Sequence, residues 1–362
     1  MSGVMSNLTL CFLPNLHRER DARRRSREID AMLKREKKSK PLPGIIVLSG
    51  TRESGKSTFL KQMRIINGEE FNHKERLIFR EAIYKNIIKG MQVLVVERNR
   101  LGIPWQNSAN EMHKKLVMSV EVWTMNFEPC TFQVYINAVD SLWKDSGIQE
   151  TYRRRNGFHL CETVKYFFDN IHHIGNLNYL PSNQDILYAH KSNKAIAETY
   201  FVFREIPFMI TNMSFLQFLW RWTGSPDGIT SIIFMATSSE YDQLWFEENR
   251  LVESLNVFEV VVNNRLILNT PIILFLNQMD LLVEKIQTVD IRKNFPEFQG
   301  DPHKLEDVQA FLVQSFDRKR GNNRQPVFHH FITAVDTENI RLVFHTVKDM
   351  LLQRSLKDFM LQ

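Results

Sequence analysis

Apolar residues recur along this chain in two alternating patterns, short continuous runs and stripes at helical spacing. Ile45–Leu48 form a run typical of a buried strand, and Thr58–Ile66 follow with apolar residues at helical spacing. Alternation of strands and helices resumes from about residue 196, which predicts an α/β fold whose mainly parallel sheet is covered on both faces. The same patterns predict further strands over Thr230–Thr237, Thr270–Leu276 and Val327–Thr333, and helices over Arg76–Val96, Leu160–Ile174, Glu247–Asn264, Leu305–Phe316 and Asp336–Met360.

The stretch between these two parts of the alternation is mostly helical. It predicts an all-helical insertion over 70–183, placed inside an α/β domain that comprises 43–69 and 184–362. Residues 1–42 precede both and predict a polar, charged helix that ends near Pro41 and Pro43.

Composition is that of an ordinary globular protein, with 43% hydrophobic and 24% charged residues among 362. No apolar run reaches the roughly 18 residues that a membrane span needs. Cys11, Cys130 and Cys161 are too far apart to indicate a disulfide framework or a zinc site. Both observations favour a cytosolic protein.

The net charge of +6 is concentrated in residues 18–40, where eleven Lys and Arg face five acids. Such a segment is typical of binding to nucleic acid or to an anionic membrane, although a solvated helix with internal ion pairs explains it equally well. Cys11 lies in an apolar patch just before it. An acyl thioester on Cys11, together with the basic helix, would provide the two signals that stable membrane anchoring needs.

The octapeptide Gly50–Ser57 fits G-x-x-x-x-G-K-[ST], the phosphate-binding loop of nucleotide hydrolases. A predicted strand precedes it and a predicted helix follows, which is the context the motif requires and which a chance glycine-rich turn lacks. Backbone amides would cradle phosphate oxygens, Lys56 would reach the β- and γ-phosphates, and Ser57 would ligate Mg²⁺.

Two short motifs further along predict recognition of guanine. Asn277 and Asp280 follow a buried strand, and the Asp carboxylate would accept both guanine N–H donors, a pattern that adenine does not offer. Thr333–Asp336 follow the last predicted strand, where a backbone loop would contact the guanine oxygen. Each motif alone is weak, since an Asn-Asp turn is common at strand ends, but their order behind a phosphate loop is informative.

These residues belong to long stretches that resemble heterotrimeric G protein α subunits, most closely the alpha-twelve/thirteen class. The resembling stretches are GKSTFLKQMRII (55–66), LGIPWQ (101–106), VKYFFDNI (164–171), QDIL (184–187), DGITSIIF (227–234), SSEYDQ (238–243), NRLVESLNVFE (249–259), ILFLNQMDLLVEK (273–285), GDPHKLEDVQ (300–309) and TENIRLVFHTVKD (337–349). The resemblance implies a Ras-like phosphate-loop GTPase domain, with a mainly parallel six-stranded sheet, that carries an inserted helical domain.

The resemblance also implies ligands, partners and a location. It implies GDP and GTP as ligands, together with Mg²⁺. It also implies a βγ dimer that binds the N-terminal helix, a receptor that binds the C-terminal segment 336–362, and Rho guanine-nucleotide exchange factors as effectors. Palmitoylation, here at Cys11, implies a peripheral protein on the cytoplasmic face of the plasma membrane, so nucleic acid is not expected as a partner. The implied nucleotide-binding residues are Gly50, Arg52, Glu53, Ser54, Gly55, Lys56, Ser57, Thr58, Asn277, Gln278, Asp280, Thr333, Ala334 and Val335.

The chain departs from the family at the positions that carry the hydrolysis. His190 stands where the family has the arginine that stabilises the transferring phosphoryl group, an arginine worth roughly 10³–10⁵ in rate. Asn193 replaces a Mg²⁺-ligating threonine. In the second switch, Asn212 falls on the Mg²⁺-linked aspartate, and the water-orienting glutamine falls on Leu216, or on Phe215 in a shifted register. Gln217 is the one glutamine nearby.

Three further departures accompany these. Arg52 replaces a small glycine of the phosphate loop, where a side chain crowds the γ-phosphate and the attacking water. Gln278 replaces the lysine of the guanine motif. The third switch, between Gln243 and Asn249, is about three residues shorter than in similar proteins, judged by the family resemblance.

Four hypotheses follow. The leading one is a guanine-nucleotide-binding α subunit whose hydrolysis is impaired or absent. The second is an interaction protein on the same fold that does not switch. A third is the product of a decayed or misjoined gene, because the mismatch over 209–226 is flanked by close matches. The fourth is an ordinary GTPase in which His190 and Gln217 replace the missing groups.

Overall fold

The computed structural model describes residues 44–191, 197–203, 205–212, 229–245, 248–267, 270–321 and 327–360. The predicted helix over 1–42 and the predicted roles of Cys11, Asn193 and Gln217 lie outside the described residues. So does most of the mismatched segment, since 213–226 is not described. Among the helices that are described, none is long and apolar enough to cross a membrane.

A six-stranded sheet forms the centre of the α/β part. Its strands, in spatial order, are β2 (Ala197–Phe203), β3 (Ile206–Asn212), β1 (Gly44–Gly50), β4 (Ile229–Thr237), β7 (Ile272–Asn277) and β8 (Val327–Phe331). Strand β2 runs antiparallel to β3, and the remaining neighbours are parallel. Strands β5 (Leu244–Trp245) and β6 (Glu248–Asn249) form a separate two-stranded ladder.

Helices occupy the chain between and after these strands. They are α1 (Lys56–Ile66), α2 (His73–Arg100), α3 (Asn110–Met118), α4 (Pro129–Lys144), α5 (Ser146–Arg153), α6 (Val164–Asp169), α7 (Ile171–Ile174), α8 (Asn183–Tyr188), α9 (Arg250–Val262), α10 (Met279–Lys285), α11 (Leu305–Arg318) and α12 (Thr337–Met360), with 3₁₀ turns at Arg155–Gly157, Arg265–Ile267 and Ile291–Lys293.

The sheet is covered on both faces because successive residues of a strand point to opposite sides. Ile46 and Leu48 of β1 face a core that includes residues of α1 and α12. Val47, between them, faces the opposite core, which includes residues of α9 and α11. Helices α2 to α7 bury a third core of their own, in which Tyr84 stacks on Phe132.

The predicted α/β fold with a parallel, doubly covered sheet is therefore confirmed, as is the helical character of the intervening segment. The domain limits at 42/43, 69/70 and 183/184 stay predictions. The edge strand β2 and its neighbour β3 were not located from the sequence pattern.

Most predicted elements differ from the structure in their limits by one to four residues, as does the helix predicted over Arg76–Val96, which spans His73–Arg100. Three further differences are informative. The helix predicted over Leu160–Ile174 begins only at Val164 and is interrupted at Asn170, whose φ of −107° departs from helical geometry. The helix predicted from Glu247 begins at Arg250, because the Asn249 side chain accepts hydrogen bonds from the first-turn amides and so caps the helix there. The last strand ends at Phe331 rather than at Thr333.

The aromatic contacts of Phe258 generate a stability prediction. Phe258 is 0% exposed, and its ring makes T-shaped contacts with Phe234 and Phe316 at centroid distances of 5.0 and 5.2 Å. Phe258→Ala should lower the free energy of unfolding by about 3–5 kcal/mol, because the lost burial leaves a cavity. Val260→Ala is the matched control on the same helix, where the side chain is 61% exposed and the change should stay within about 0.5 kcal/mol. Equal effects in urea denaturation would contradict this assignment of the core.

Candidate functional site

A cleft of about 930 Å³ lies between the helical segment and the carboxyl ends of the parallel strands. Ligands of open parallel sheets bind at this edge, and the volume lies in the range of small-molecule sites. One wall consists of the phosphate-loop sequence, the residues after β7 and the residues after β8. The opposite wall consists of residues of α2, α6 and the segment that follows α5.

The two motif glycines of the phosphate loop are required by its geometry. Gly50 has φ 135° and Gly55 has φ 96°, and residues that carry a side chain rarely adopt either backbone conformation. A Cβ on Gly50 would collide with the Met235 carbonyl, and one on Gly55 would collide with the Asn277 amide. Gly55 also begins α1 without a capping side chain, so the first-turn amides are available to an anion.

Lys56 folds back over this loop. Its Nζ donates to the Gly50 carbonyl at 2.9 Å and also to the Thr51 carbonyl. Burial lowers the pKa of Lys56 to about 8, with the charge of Glu240 acting in the opposite direction. The ammonium is therefore held at the loop by carbonyl groups, and no carboxylate of the described residues contacts it directly, which suits a group that binds phosphate.

Asn277 joins the three loops of this wall. Its Nδ2 donates to the Ser54 carbonyl at 3.1 Å, and its Oδ1 accepts from the Ala334 amide at 2.9 Å. Gln62 of α1 supports the same arrangement, since its Nε2 donates to the Ala334 carbonyl at 2.9 Å. The phosphate loop is thus fixed relative to the loops that would hold the base.

Gln278 and Asp280 occupy the base end of this wall. Gln278 has φ 61°, and its Oε1 accepts from the Ser239 hydroxyl at 2.8 Å. The carboxylate of Asp280 is exposed at the cleft wall, and its nearest polar contact is the Thr333 hydroxyl at 3.5 Å. Asp280 is therefore available to a ligand.

Ion pairs of a buried arginine hold the phosphate loop in place. Arg250 is 6% exposed; its Nη1 lies 3.3 Å from Glu53 and its Nη2 lies 2.8 Å from Glu240. Burial raises the pKa of Glu240 to about 7 despite the charge of Arg250. Burial also acts to raise the pKa of Glu53, but the hydrogen bond and charge of His159, with the charge of Arg250, outweigh it and lower that pKa.

The loop before β2 forms another part of the cleft wall. The backbone of His190 exchanges two hydrogen bonds with the Asn86 side chain of α2, at 2.8 and 2.9 Å. Lys61 of α1 is buried and donates to the carbonyls of Ile186 and Ala189 at 2.8 and 2.7 Å. Desolvation, and next the charge of Lys61, lower the pKa of His190, so its imidazole is neutral near pH 7.

Most of the residues predicted for the site do line the cleft. They are Arg52, Glu53, Gly55, Lys56, Ser57, Thr58, His190, Asn277, Gln278, Asp280, Thr333, Ala334 and Val335. Gly50 and Ser54 lie behind the surface, where Ser54 is buried and donates to the Thr51 carbonyl. Asn193 and Gln217 are outside the described residues.

Sequence reasoning missed the supporting residues Lys61, Gln62, His159, Glu240 and Arg250. Arg250 lies inside the quoted stretch NRLVESLNVFE, but no pattern in a single sequence links it to Glu53, which is 197 residues away.

The phosphate end of the cleft fits a tightly held magnesium ion poorly. Mg²⁺ in nucleotide sites is bound by one or two carboxylates together with phosphates. Here Ser57 offers a hydroxyl, and Asn212, at the end of β3 and on the cleft wall, offers an amide oxygen. The loop carboxylate Glu53 is engaged by Arg250 and His159. Nor do the described residues contain a group of three or more His, Cys, Asp or Glu arranged to hold a metal ion.

Comparison with known proteins agrees with this geometry. The family model described as G-protein alpha subunit matches residues 23–351. The chain is 55% identical over 379 residues to guanine nucleotide-binding protein subunit alpha-12 of Rattus norvegicus, with 100% of both chains covered. It is 48% identical over 369 residues to subunit alpha-13 of Homo sapiens, covering 99% of this chain and 98% of that protein. This chain belongs to the G-protein alpha subunit family.

Membership of this G-protein alpha family has direct consequences. The family binds GTP and GDP, has GTPase activity in general, and works with βγ and receptor partners. The similarity to alpha-12 and alpha-13 places the chain in that class of heterotrimeric α subunits.

Glu240 generates a pH prediction. The folded protein holds the Glu240 proton more tightly than the unfolded chain does. The contribution of protonated Glu240 to the free energy of unfolding is therefore full below about pH 4.5 and is lost as pH rises through about 7. Glu240→Gln should therefore gain stability relative to the wild type between about pH 5 and about pH 8, by on the order of 2 kcal/mol. Urea denaturation of both proteins at about pH 5 and about pH 8 measures this gain, and Glu248→Gln, at an exposed position, is the control. A constant difference between Glu240→Gln and the wild type would contradict the raised pKa.

Proposed function

We propose that this α subunit binds GDP and GTP in the cleft, hydrolyses GTP slowly or not at all, and signals toward Rho guanine-nucleotide exchange factors. The observation that carries the proposal is the Asn277 bridge between the phosphate loop and the Ala334 loop. It holds phosphate-binding amides and guanine-reading groups in one rigid wall, which a chance combination of short motifs does not provide.

The nucleotide would lie along this wall. Its phosphates would contact the amides of α1 and Lys56, and its base would contact Asp280 and the loop of Thr333, Ala334 and Val335. An ionised Asp280 accepts the two guanine N–H groups, so its carboxylate selects guanine over adenine. Gln278, held by Ser239, would retain some packing on the base without the charge of a lysine.

Impaired hydrolysis is supported by the groups at the phosphate end. His190 is neutral near pH 7 and lacks the planar fork with which an arginine stabilises phosphoryl charge. Arg52 lines the cleft beside Lys56, where it would crowd the attacking water. A role for Gln217 as the water-orienting residue stays a prediction.

Partners and location follow from the family rather than from the cleft. The βγ dimer would bind the N-terminal segment 1–42, and a receptor would bind the C-terminal segment 336–362, much of which is helix α12. An acylated Cys11 and the basic residues 18–40 would hold the protein at the cytoplasmic face of the plasma membrane. Magnesium, with Ser57 and Asn193 as ligands, remains part of the proposal, although the described donors favour only weak binding.

A second candidate function is an interaction protein that occupies the same fold without switching. Asn212 favours it, because a neutral amide stands at the strand end where switching relatives have a Mg²⁺-linked carboxylate. Receptor or exchange-factor binding that is equal with GDP, with a GTP analogue and without nucleotide would support this candidate over the first.

Asp280 provides a test of base selection. Asp280→Asn should weaken GTPγS binding by about 100-fold or more and strengthen binding of xanthosine triphosphate, since an amide can donate to the xanthine 2-oxo group. Calorimetric titration with GTPγS and with xanthosine triphosphate measures this change of base preference. Glu284→Gln, another cleft carboxylate on α10, is the control that should keep guanine selectivity. Unchanged guanine preference in Asp280→Asn would refute the assigned base site.

His190 provides a test of hydrolysis. Single-turnover hydrolysis by the wild type should be at least about 100-fold slower than the ~10⁻² s⁻¹ of α subunits that carry the arginine in cis. His190→Arg should raise the rate by about tenfold or more, because it restores charge at the transferring phosphoryl group. The exposed His172→Arg, on α7, is the control and should leave the rate unchanged. Wild-type turnover near ~10⁻² s⁻¹ would overturn this part of the proposal.

A further inference from the structure

Arg52 is a cation of the phosphate loop without a partner in the described structure. Its side chain is exposed and lines the cleft beside Lys56 and Ser57. No hydrogen bond or ion pair to its guanidinium occurs among the residues the structure describes. Its backbone, in contrast, is fixed, because the Arg52 carbonyl accepts from Arg250 Nη2 at 3.2 Å. The loop therefore presents this guanidinium to the cleft from a rigid base.

The acids nearest to Arg52 along the chain and behind the loop are already engaged. Glu53 lies 3.2 Å from His159 and 3.3 Å from Arg250. Glu240 is 4% exposed and lies 2.8 Å from Arg250. These carboxylates contact Arg250 or His159, and among the described residues none of them contacts the Arg52 guanidinium, which is therefore available to a ligand at the phosphate end.

The described residues of the same region that would bind a metal ion, Asn212 and Ser57, carry no negative charge. Asn212 pairs in register with Leu48, near the end of β1, which places it beside the phosphate loop. Its amide is neutral, and Ser57 adds only a hydroxyl. In phosphate-loop hydrolases the metal ion neutralises the β- and γ-phosphates. In this chain the phosphate loop carries an additional side-chain cation, Arg52, at the end of the cleft where carboxylate support for a metal is missing.

We propose that Arg52 supplies the positive charge that neutralises the terminal phosphate, so that the triphosphate nucleotide binds with little dependence on Mg²⁺. A guanidinium suits this role because its planar fork can donate two hydrogen bonds to one phosphate group. This inference rests on the proposed function as a guanine-nucleotide-binding protein. It concerns how the phosphate chain is held, and it leaves the base site unchanged.

The test is calorimetric titration of the full-length protein with GTPγS, in millimolar Mg²⁺ and in EDTA. The wild-type Kd should change by less than about threefold between the two conditions. Arg52→Gly should weaken binding in EDTA by about 10- to 100-fold, as expected for loss of a charge-assisted contact, and Mg²⁺ should recover part of the loss. Arg52→Lys should fall between the two because it keeps the charge and loses the fork.

Arg153→Ala, which removes an exposed guanidinium of α5 that pairs with Glu150, is the matched control and should bind like the wild type in both conditions. Thermal unfolding of each variant without nucleotide checks that the loop change has not unfolded the protein.

The outcomes separate the two proposals. Wild-type binding that is tight in Mg²⁺ and about 100-fold weaker in EDTA would overturn the role of Arg52 while leaving the nucleotide-binding function intact. An Arg52→Gly variant that binds like the wild type in EDTA would also overturn it. No binding of GTPγS or GDP by folded wild-type protein in either condition would instead refute the proposed function.

Discussion

The hydrogen-bond bridge through Asn277 is the interaction on which the candidate site depends. One side-chain amide connects the Ser54 carbonyl and the Ala334 amide, which belong to loops separated by most of the chain. Its close approach is also why Gly55 has no room for a Cβ. The phosphates and the base of a bound nucleotide would both contact this wall. Loss of the bridge would therefore remove the hydrogen bonds that fix the phosphate loop relative to the base loop.

Around this bridge the charges of the phosphate end fall into a buried set and a set that lines the cleft. Arg250 is held in the interior by Glu53 and Glu240, and His159, which lies outside the sheet, reaches Glu53 as well. These contacts fix the loop without contacting a phosphate. At this end the cleft is lined by the cations Arg52 and Lys56, by the neutral amide of Asn212, and by Glu53, whose carboxylate is engaged by Arg250 and His159. Under the proposed function, the described part of this surface would hold phosphates and offers no group placed to activate and orient water.

The sequence predicted four of the six sheet strands, the helical character of the intervening segment and thirteen positions that line the cleft, because the patterns that mark them are local. Apolar runs mark buried strands, and the phosphate-loop spacing fixes a strand–loop–helix unit. Two kinds of feature were not predicted, namely local helix starts and breaks that interrupt an apolar pattern, and contacts between distant residues. The capping of α9 by Asn249 moved a helix start, and the break at Asn170 divided a predicted helix. The ion pairs of Arg250 with Glu53 and Glu240, and the contacts of Lys61 with Ile186 and Ala189, arise only when the elements pack together.

The proposed function requires that this α subunit retains guanine nucleotide but does not turn GTP over efficiently. The most direct measurement is to denature freshly purified protein and identify the released nucleotide by ion-exchange chromatography and mass spectrometry. We expect a guanine nucleotide bound to the protein, with a substantial fraction still present as GTP. Release of GDP alone would contradict impaired hydrolysis, and release of adenine nucleotide would contradict the base site assigned to Asn277 and Asp280.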